Sequence, residues 1–303
     1  MIDILSEMWG NGLLRRALIT AAIVGISAPI MGTYLVQRRL TLLGDGIGHM
    51  ALTGVAAGWL AASAAGATQQ DQWAVPGAII ASVVGALAIE FLRSRGRESG
   101  DVALALLFYG GIAGGVLLIG LAGGTTANLN AYLFGSLSTV TTMDMWLSLG
   151  LAIFIILVGI GLRPALFALC HDEEFAKASG IPVQLLSVLI SVTAALTVAI
   201  SMRVVGVLMV SALMVIPVAT AQLVTRSFTM TMRLGMIIGI IVAEAGLIIT
   251  YVYDLSPGAM IVTLTVALYA IVSLARPLLV RSKVEDPHPT MDDELRGENC
   301  RTA

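Results

Sequence analysis

Charge is scarce in this 303-residue chain: Asp, Glu, Lys and Arg make up 12% of it, about half of the roughly 25% usual in soluble domains. With 57% hydrophobic residues and a mean hydropathy of +0.93, it carries more apolar side chain than a soluble fold of this length could hide. A bilayer is the solvent that fits it. Cysteine is nearly missing. Cys170 and Cys300 are the two present, too few for a disulfide framework, and both are expected in cytoplasmic segments where thiols stay reduced. The net charge of −2 argues against nucleic acid as a partner. A Gly-rich phosphate loop ending in Lys-Ser/Thr is absent, and so is His-Glu-x-x-His. Neither ATP hydrolysis nor intramembrane metalloproteolysis is therefore expected of this chain itself. Residues 1–12 are short, mixed and not basic, so no cleavable signal peptide is expected and the first long apolar run reads as a span.

What is present is a series of apolar runs near the ~20-residue length that crosses a bilayer. They fall near 17–36, 45–65, 75–92, 102–121, 146–162, 184–200, 204–223, 233–253 and 259–279. They predict an all-α polytopic transmembrane bundle of about nine spans within a domain over residues 1–283. The sixth and seventh runs are separated only by Ser201, Met202 and Arg203, so eight spans stays an open alternative. Lys and Arg mark every second link: Arg38/Arg39, Arg93/Arg95/Arg97, Arg163/Lys177, Arg226/Arg233 and Arg276/Arg281/Lys283. Links 66–74, 122–145 and 254–258 carry none. The positive-inside rule then places the N-terminus outside, the C-terminus in the cytoplasm and the chain in the cell's cytoplasmic membrane. Arg15, Arg16 and Arg203 break the rule. Residues 284–303, with Glu285, Asp286, Asp292, Asp293, Glu294 and Glu298 beside Pro287 and Pro289, read as a disordered acidic tail. His288 and Cys300 within it are incidental.

Of the three histidines, only His49 falls in a span, in Leu42-Leu43-Gly44-Asp45-Gly46-Ile47-Gly48-His49. Asp45 and His49 are spaced i, i+4, so a helix stacks them on one face. An Asp in a span costs ~2.5–3.5 kcal/mol on the insertion scale and needs a partner or a wet cavity. The pair is either a structural hydrogen bond between helices or an O- and N-donor pair for a divalent cation. One helix supplies too few donors, and two copies across a two-fold axis would supply enough for a four-coordinate site. Gly44, Gly46 and Gly48 make a poor helix start but leave room around both side chains. If the helix ran on from Arg39, Asp45 would lie ~9 Å and His49 ~15 Å along its axis, the latter near the midplane.

Other residues carry weaker signals. Glu244 is the other acid deep in a span, a second cation site, a proton carrier or the structural partner of Arg203, the last preferred. Glu90 lies near Arg93 at a span end and is assigned nothing. Pro217 removes a backbone donor and predicts a kink. Tyr132-Leu133-Phe134-Gly135-Ser136 falls in an external link, where a short re-entrant piece could help close an outer mouth. In the cytoplasmic segment 164–183, Asp172, Glu173 and Glu174 open a short helix, Lys177 falls late in it, and Gly180 and Pro182 stop it. Such a helix is a handle for a soluble partner or a solvated loop.

The residues of Gly32-Thr33-Tyr34-Leu35-Val36-Gln37-Arg38-Arg39-Leu40-Thr41 through His49 resemble the permease subunits of bacterial ABC transporters for zinc and manganese. Tyr132–Ser136, the acid/Ala176/Gly180 link, Val205-Gly206-Val207-Leu208 through Pro217, and Ser256-Pro257-Gly258-Ala259 are similar to further motifs of that family, in its order. The resemblance runs over roughly residues 13–280. It implies a homodimeric permease with two separate ATPase subunits that bind ATP, an extracellular metal-binding protein that delivers the ion, and no cofactor bound by this chain. It also implies that Asp45 and His49 are the intramembrane metal ligands, and that 172–180 docks on the ATPase through Asp172, Glu173, Glu174, Ala176 and Gly180. Imidazole ligands tilt the expected metal slightly to zinc over manganese, with iron as a third candidate. Thr53 stands where many relatives carry Pro, and Gly48 where Ala is usual. A gradient-driven secondary transporter using Glu244 is the alternative, though the internal repeats of that class are not evident.

Overall fold

The structure is a computed structural model that describes residues 7–66, 70–94, 100–123, 130, 132–136, 140–202, 205–253 and 255–279. The acidic tail, Arg203, Arg95 and Arg97 lie outside these. In chain order the principal helices are α1 (Gly12–Gln37), α2 (Leu43–Ala64), α3 (Ala74–Ser94), α4 (Gly100–Leu121), α5 (Thr142–Ile156), α6 (Arg163–His171), α7 (Glu173–Ala178), α8 (Val183–Ser201), α9 (Val207–Val224), α10 (Phe228–Tyr253) and α11 (Pro257–Leu279). There is no β-strand among the described residues. Among the described residues seven helices, α1 to α5 with α10 and α11, are long and apolar enough to cross a membrane. The sixth and seventh apolar runs form the shorter α8 and α9, with apolar stretches Val183–Ala199 and Met209–Val224. They are separate helices: α8 stops at Ser201, and Gly206 turns the chain into α9 with φ +88°, a conformation natural only to glycine.

Helix α1 is the centre of the bundle and packs on α5, α8, α9 and α10. Helix α2 lies between α3 and α4 with a further side on α9. Burial follows this order: 72% of the apolar window of α1 is buried in the chain, against 17% for α11 at the rim. Without a hydrophobic drive between apolar helices in lipid, close approach has to come from small residues. A Cβ at Gly32 would stand 1.8 Å from the Met214 carbonyl oxygen, and one at Gly239 2.4 Å from that of Gly25. The α1–α9 and α1–α10 crossings are thus set by missing side chains.

Many hydroxyl groups along the spans are satisfied locally. Thr20, Thr33, Thr193, Thr197, Ser201, Thr220 and Thr265 each donate to the carbonyl four residues back, so none leaves a donor bare in an apolar medium. Helix α5 runs into a π-helical turn, Leu157–Gly161, which loosens the carbonyl ladder. The Tyr34 hydroxyl of α1 donates to the Gly159 carbonyl there.

The two ends of the bundle differ in chemistry. At one end Arg38, Glu90, Arg93, Glu173, Lys177, Gln184 and Ser187 line a cavity of about 350 Å³, and Arg163 donates to Thr229 at the start of α10. Arg16 lies at the opposite end, where its guanidinium donates to the Gly12 carbonyl and to Thr142 Oγ1. That end is capped by residues 132–136. The Ser256 hydroxyl donates to the Phe134 carbonyl, Tyr132 stacks edge-on against Trp59 at 5.3 Å, and a Cβ on Gly206 would come 2.4 Å from the Leu133 carbonyl oxygen. Gly258 completes the contact, its Cβ position 1.9 Å from the Val205 carbonyl oxygen. Three motifs far apart in sequence meet in one cap.

The glycine at the α1–α9 crossing gives a signed prediction. Gly32→Ala should lower the melting temperature of the detergent-solubilised protein, since overpacking costs about 1–3 kcal/mol. Gly110→Ala, with nothing within 4 Å of the added methyl, should leave it unchanged or raise it. Thermal unfolding of the two variants side by side checks both.

Candidate functional site

The site begins where α1 ends. Arg39 adopts φ 57°; the Leu40 amide donates to the Leu35 carbonyl and the Arg39 amide to that of Val36. This is the paired hydrogen-bond pattern that terminates a helix with a left-handed residue, a place usually held by Gly or Asn. The sequence carries Arg there, so the left-handed turn was not legible, although the apolar runs near 17–36 and 45–65 had placed the break; the heights reckoned for a helix running on from Arg39 are corrected. Helix α2 begins at Leu43. Asp45 therefore sits in its first turn, only ~3 Å along the axis, with His49 at ~9 Å. A carboxylate in the first turn also meets the positive end of the helix dipole.

The glycines of α2 explain what surrounds the pair. A Cβ on Gly44 would lie 3.2 Å from Ser211 Cβ, and one on Gly48 3.2 Å from the Val207 carbonyl oxygen, both on α9. Gly46 faces Leu104 of α4 at 3.8 Å, and Gly111 of α4 would place a Cβ 2.7 Å from the His49 carbonyl carbon. Asp45 and His49 thus lie in the seam between α9 and α4. From α9, the Ser211 hydroxyl donates to Asp45 Oδ1. From α4, Phe108 meets the His49 ring edge-on, with centroids 4.4 Å apart at 82°. His49 is 5% exposed, and its Nδ1 is buried with no hydrogen-bond partner among the described residues. Thr53 one turn further donates to the Gly111 carbonyl at 2.7 Å. It ties α2 to α4.

Asp45 lines a cavity of about 280 Å³ with Leu42, Leu104, Ala105, Phe108 and Tyr109. Leu42 and Tyr109 are 63% and 68% exposed, so the cavity opens on the flank of the chain. Among the described residues no three His, Cys, Asp or Glu side chains cluster in a way that could hold a metal ion. One chain offers a carboxylate and an imidazole. Glu244 is remote from this seam: it lies on α10, which packs on α1, α9 and α11, and it is half-buried beside the exposed Ile241. Glu90 is buried, accepts from Ser191 of α8 and pairs with Arg93 at 3.5 Å. Pro217 lies inside α9, which continues through it to Val224.

The other candidate residues form a second site at the arginine end. Asp172 caps α7, its carboxylate accepting from the Phe175 amide at 2.9 Å. The Ile181 amide donates to the Ala176 carbonyl and the Gly180 amide to that of Lys177, with Gly180 at φ +76°, so α7 ends as glycine permits. Glu173 faces inward to Lys177 at 3.0 Å and to Arg38 at 3.5 Å. The Lys177 hydrogen bond first, then the charges of Lys177, Arg38 and Arg93, hold its carboxyl below the usual carboxylate range against partial burial. Ala176 is fully buried, whereas Glu174, Gly180 and Phe175 are exposed, Phe175 by 64%. Arg38 also donates to Ser187 of α8 at 2.7 Å, which joins α7 to α1 seven residues before Asp45. Arg38, Ser211, Phe108 and Gly111 carried no sequence signal as site residues, because each acts across a helix–helix contact.

Comparison with known proteins gives this geometry a family. Residues 11–276 match the model of the ABC 3 transport family. The manganese transport system membrane protein MntC of Halalkalibacterium halodurans is 32% identical over 264 residues, which span 87% of each chain. The manganese import system permease protein ScaB of Streptococcus parasanguinis is 31% identical over 260 residues, 86% of this chain and 89% of that one. Among solved structures, PsaBC from Streptococcus pneumoniae in complex with Fab superposes with a TM-score of 0.78 at 29% identity, covering 90% of this chain and 95% of that one. The chain is a multi-pass membrane protein of the ABC 3 transport family.

Proposed function

We propose that this chain is the membrane permease subunit of an ATP-driven importer of a divalent transition metal, with Asp45 and His49 as the ligands the ion meets inside the bilayer. The observation that carries the reading is the His49 Nδ1 atom, buried without a partner one helical turn above a carboxylate. A structural histidine would have used that nitrogen. The carboxylate and the imidazole offer donors of the kinds such ions take. Two donors are too few, and the cavity beside Asp45 opens on the flank of the chain, so a second copy brings its own Asp–His pair to the same ion. The relatives named for manganese move the expected cargo from zinc to manganese, which accepts carboxylate oxygen readily; the zinc preference has no support among them.

In this reading the chain crosses the cytoplasmic membrane nine times, with α8 and α9 as short crossings and the arginine end in the cytoplasm. The N-terminus is then external and the tail cytoplasmic. The cap of residues 132–136, Gly206 and Ser256–Gly258 closes the external mouth, where an extracellular metal-binding protein delivers the ion. Helix α7 docks on one of two ATPase subunits. Phe175 and Glu174 make the contact, while Asp172, Ala176 and Gly180 shape the helix and Glu173 ties it to Arg38. ATP binding and hydrolysis in the partners move the two permease copies so that the ion passes between outer and inner gates.

Asp45→Ala and His49→Ala should each abolish radioactive manganese uptake by cells while the protein still reaches the membrane, and excess zinc should compete more weakly than excess manganese. Full uptake by both variants would remove the pair from transport. The doubly substituted Phe175→Ala, Glu174→Ala protein should fail to co-purify with its ATPase subunit; intact co-purification and ATP-dependent uptake would remove α7 from docking. A gradient-driven carrier would instead lose uptake on Glu244→Gln and keep it when the ATPase gene is deleted.

A further inference from the structure

We infer that Ser211 is the positioning residue for Asp45, holding its carboxylate in the orientation that receives the ion; the inference rests on the reading of Asp45 as a ligand. Its hydroxyl departs from the commonest pattern of the spans, as do those of Thr53 and Ser191. Thr20, Thr33, Thr193, Thr197, Ser201, Thr220 and Thr265 all donate to a carbonyl on their own helix. Ser211 had the same option in the carbonyl of Val207, four residues back, and donates across the seam to Asp45 Oδ1 instead. Only 9% of Ser211 is exposed, and it stands where α2 and α9 come close, opposite the missing side chain of Gly44.

The consequence for the carboxylate is geometric. Asp45 sits on a cavity with apolar neighbours, Leu42, Leu104 and Phe108, and among the described residues Ser211 is the side chain that donates to it. Its rotation about the side-chain bonds is therefore set by one hydrogen bond. With Oδ1 held toward α9, Oδ2 is left for the ion. Partners of this kind fix the orientation of a ligand, and losing one typically lowers metal affinity about 10–100-fold. Ser211 is also on the helix whose first residues are clamped by the cap: Gly206 lies against residues 133–135, five residues or ~7.5 Å from Ser211. The carboxylate is thus referenced to the same helix that the cap holds.

The test is manganese(II) binding to the full-length protein in lipid nanodiscs, read by equilibrium dialysis and elemental mass spectrometry. Ser211→Ala should raise the dissociation constant at least about tenfold. Ser211→Thr, which keeps the hydroxyl, should bind as the wild type does, and Ser211→Val, the same shape without it, should bind as weakly as Ser211→Ala. The Thr/Val pair decides the matter even where the Ala variant fails to assemble. Wild-type affinity in Ser211→Val, or equal losses in Thr and Val, would overturn the positioning role. Asp45→Ala in the same assay separates the two levels: if it retains full affinity the ligand reading itself fails, whereas its loss beside an unaffected Ser211→Val sinks the Ser211 inference alone.

Discussion

The structure depends on how closely α9 and α4 can press against the first two turns of α2. Three of the first six residues of that helix, Gly44, Gly46 and Gly48, have no side chain, and the omissions at Gly44 and Gly48 admit α9 while that at Gly111 admits α4 against α2. Glycine is a poor helix former, costing about 1 kcal/mol relative to alanine at each place, so isolated this segment would barely hold a helix. Packed between α9 and α4 it does, and the two polar side chains on the intervening face are enclosed by the same contacts. The helix stability and the enclosure of the pair have one cause.

That enclosure sets the chemistry. Asp45 has one oxygen engaged by Ser211 and lies in the first turn, where the helix dipole favours its charge. His49 is held edge-on by Phe108 and keeps an unpaired ring nitrogen. Elsewhere in the spans many hydroxyls bond within their own helices, and Glu90 is matched by Ser191 and Arg93. In the seam Asp45 is left with one side on a cavity, and a cavity open on the flank invites a second copy.

The two ends are linked to this seam through single helices. At the arginine end Arg38, in the turn into α2, joins α7 through Glu173 and α8 through Ser187 with one guanidinium. At the cap end Gly206 and Gly258 let backbone pass against backbone, and α9 runs from that contact to Ser211. One helix thus carries both the contact with the cap and the hydrogen bond to the carboxylate.

Periodicity, run length and charge determined which segments are helices and apolar, because burial in lipid imposes its length and polarity on every span irrespective of neighbours. The spacing of Asp45 and His49 likewise fixed that they share a face, and the acids, Gly180 and Pro182 fixed α7. The runs near 17–36 and 45–65 already placed the break between α1 and α2, but the left-handed Arg39 that makes it was not legible, since a lone sequence assigns that conformation to glycine. Tyr132–Ser136 could be read as a piece at the outer mouth, but not its partners, because Gly206 and Ser256–Gly258 are brought to it only by the bundle. The roles of Gly44, Gly111 and Ser211 belong to the tertiary structure alone: a small residue or a hydroxyl acquires its meaning from the helix opposite, and the sequence does not say which helix that is.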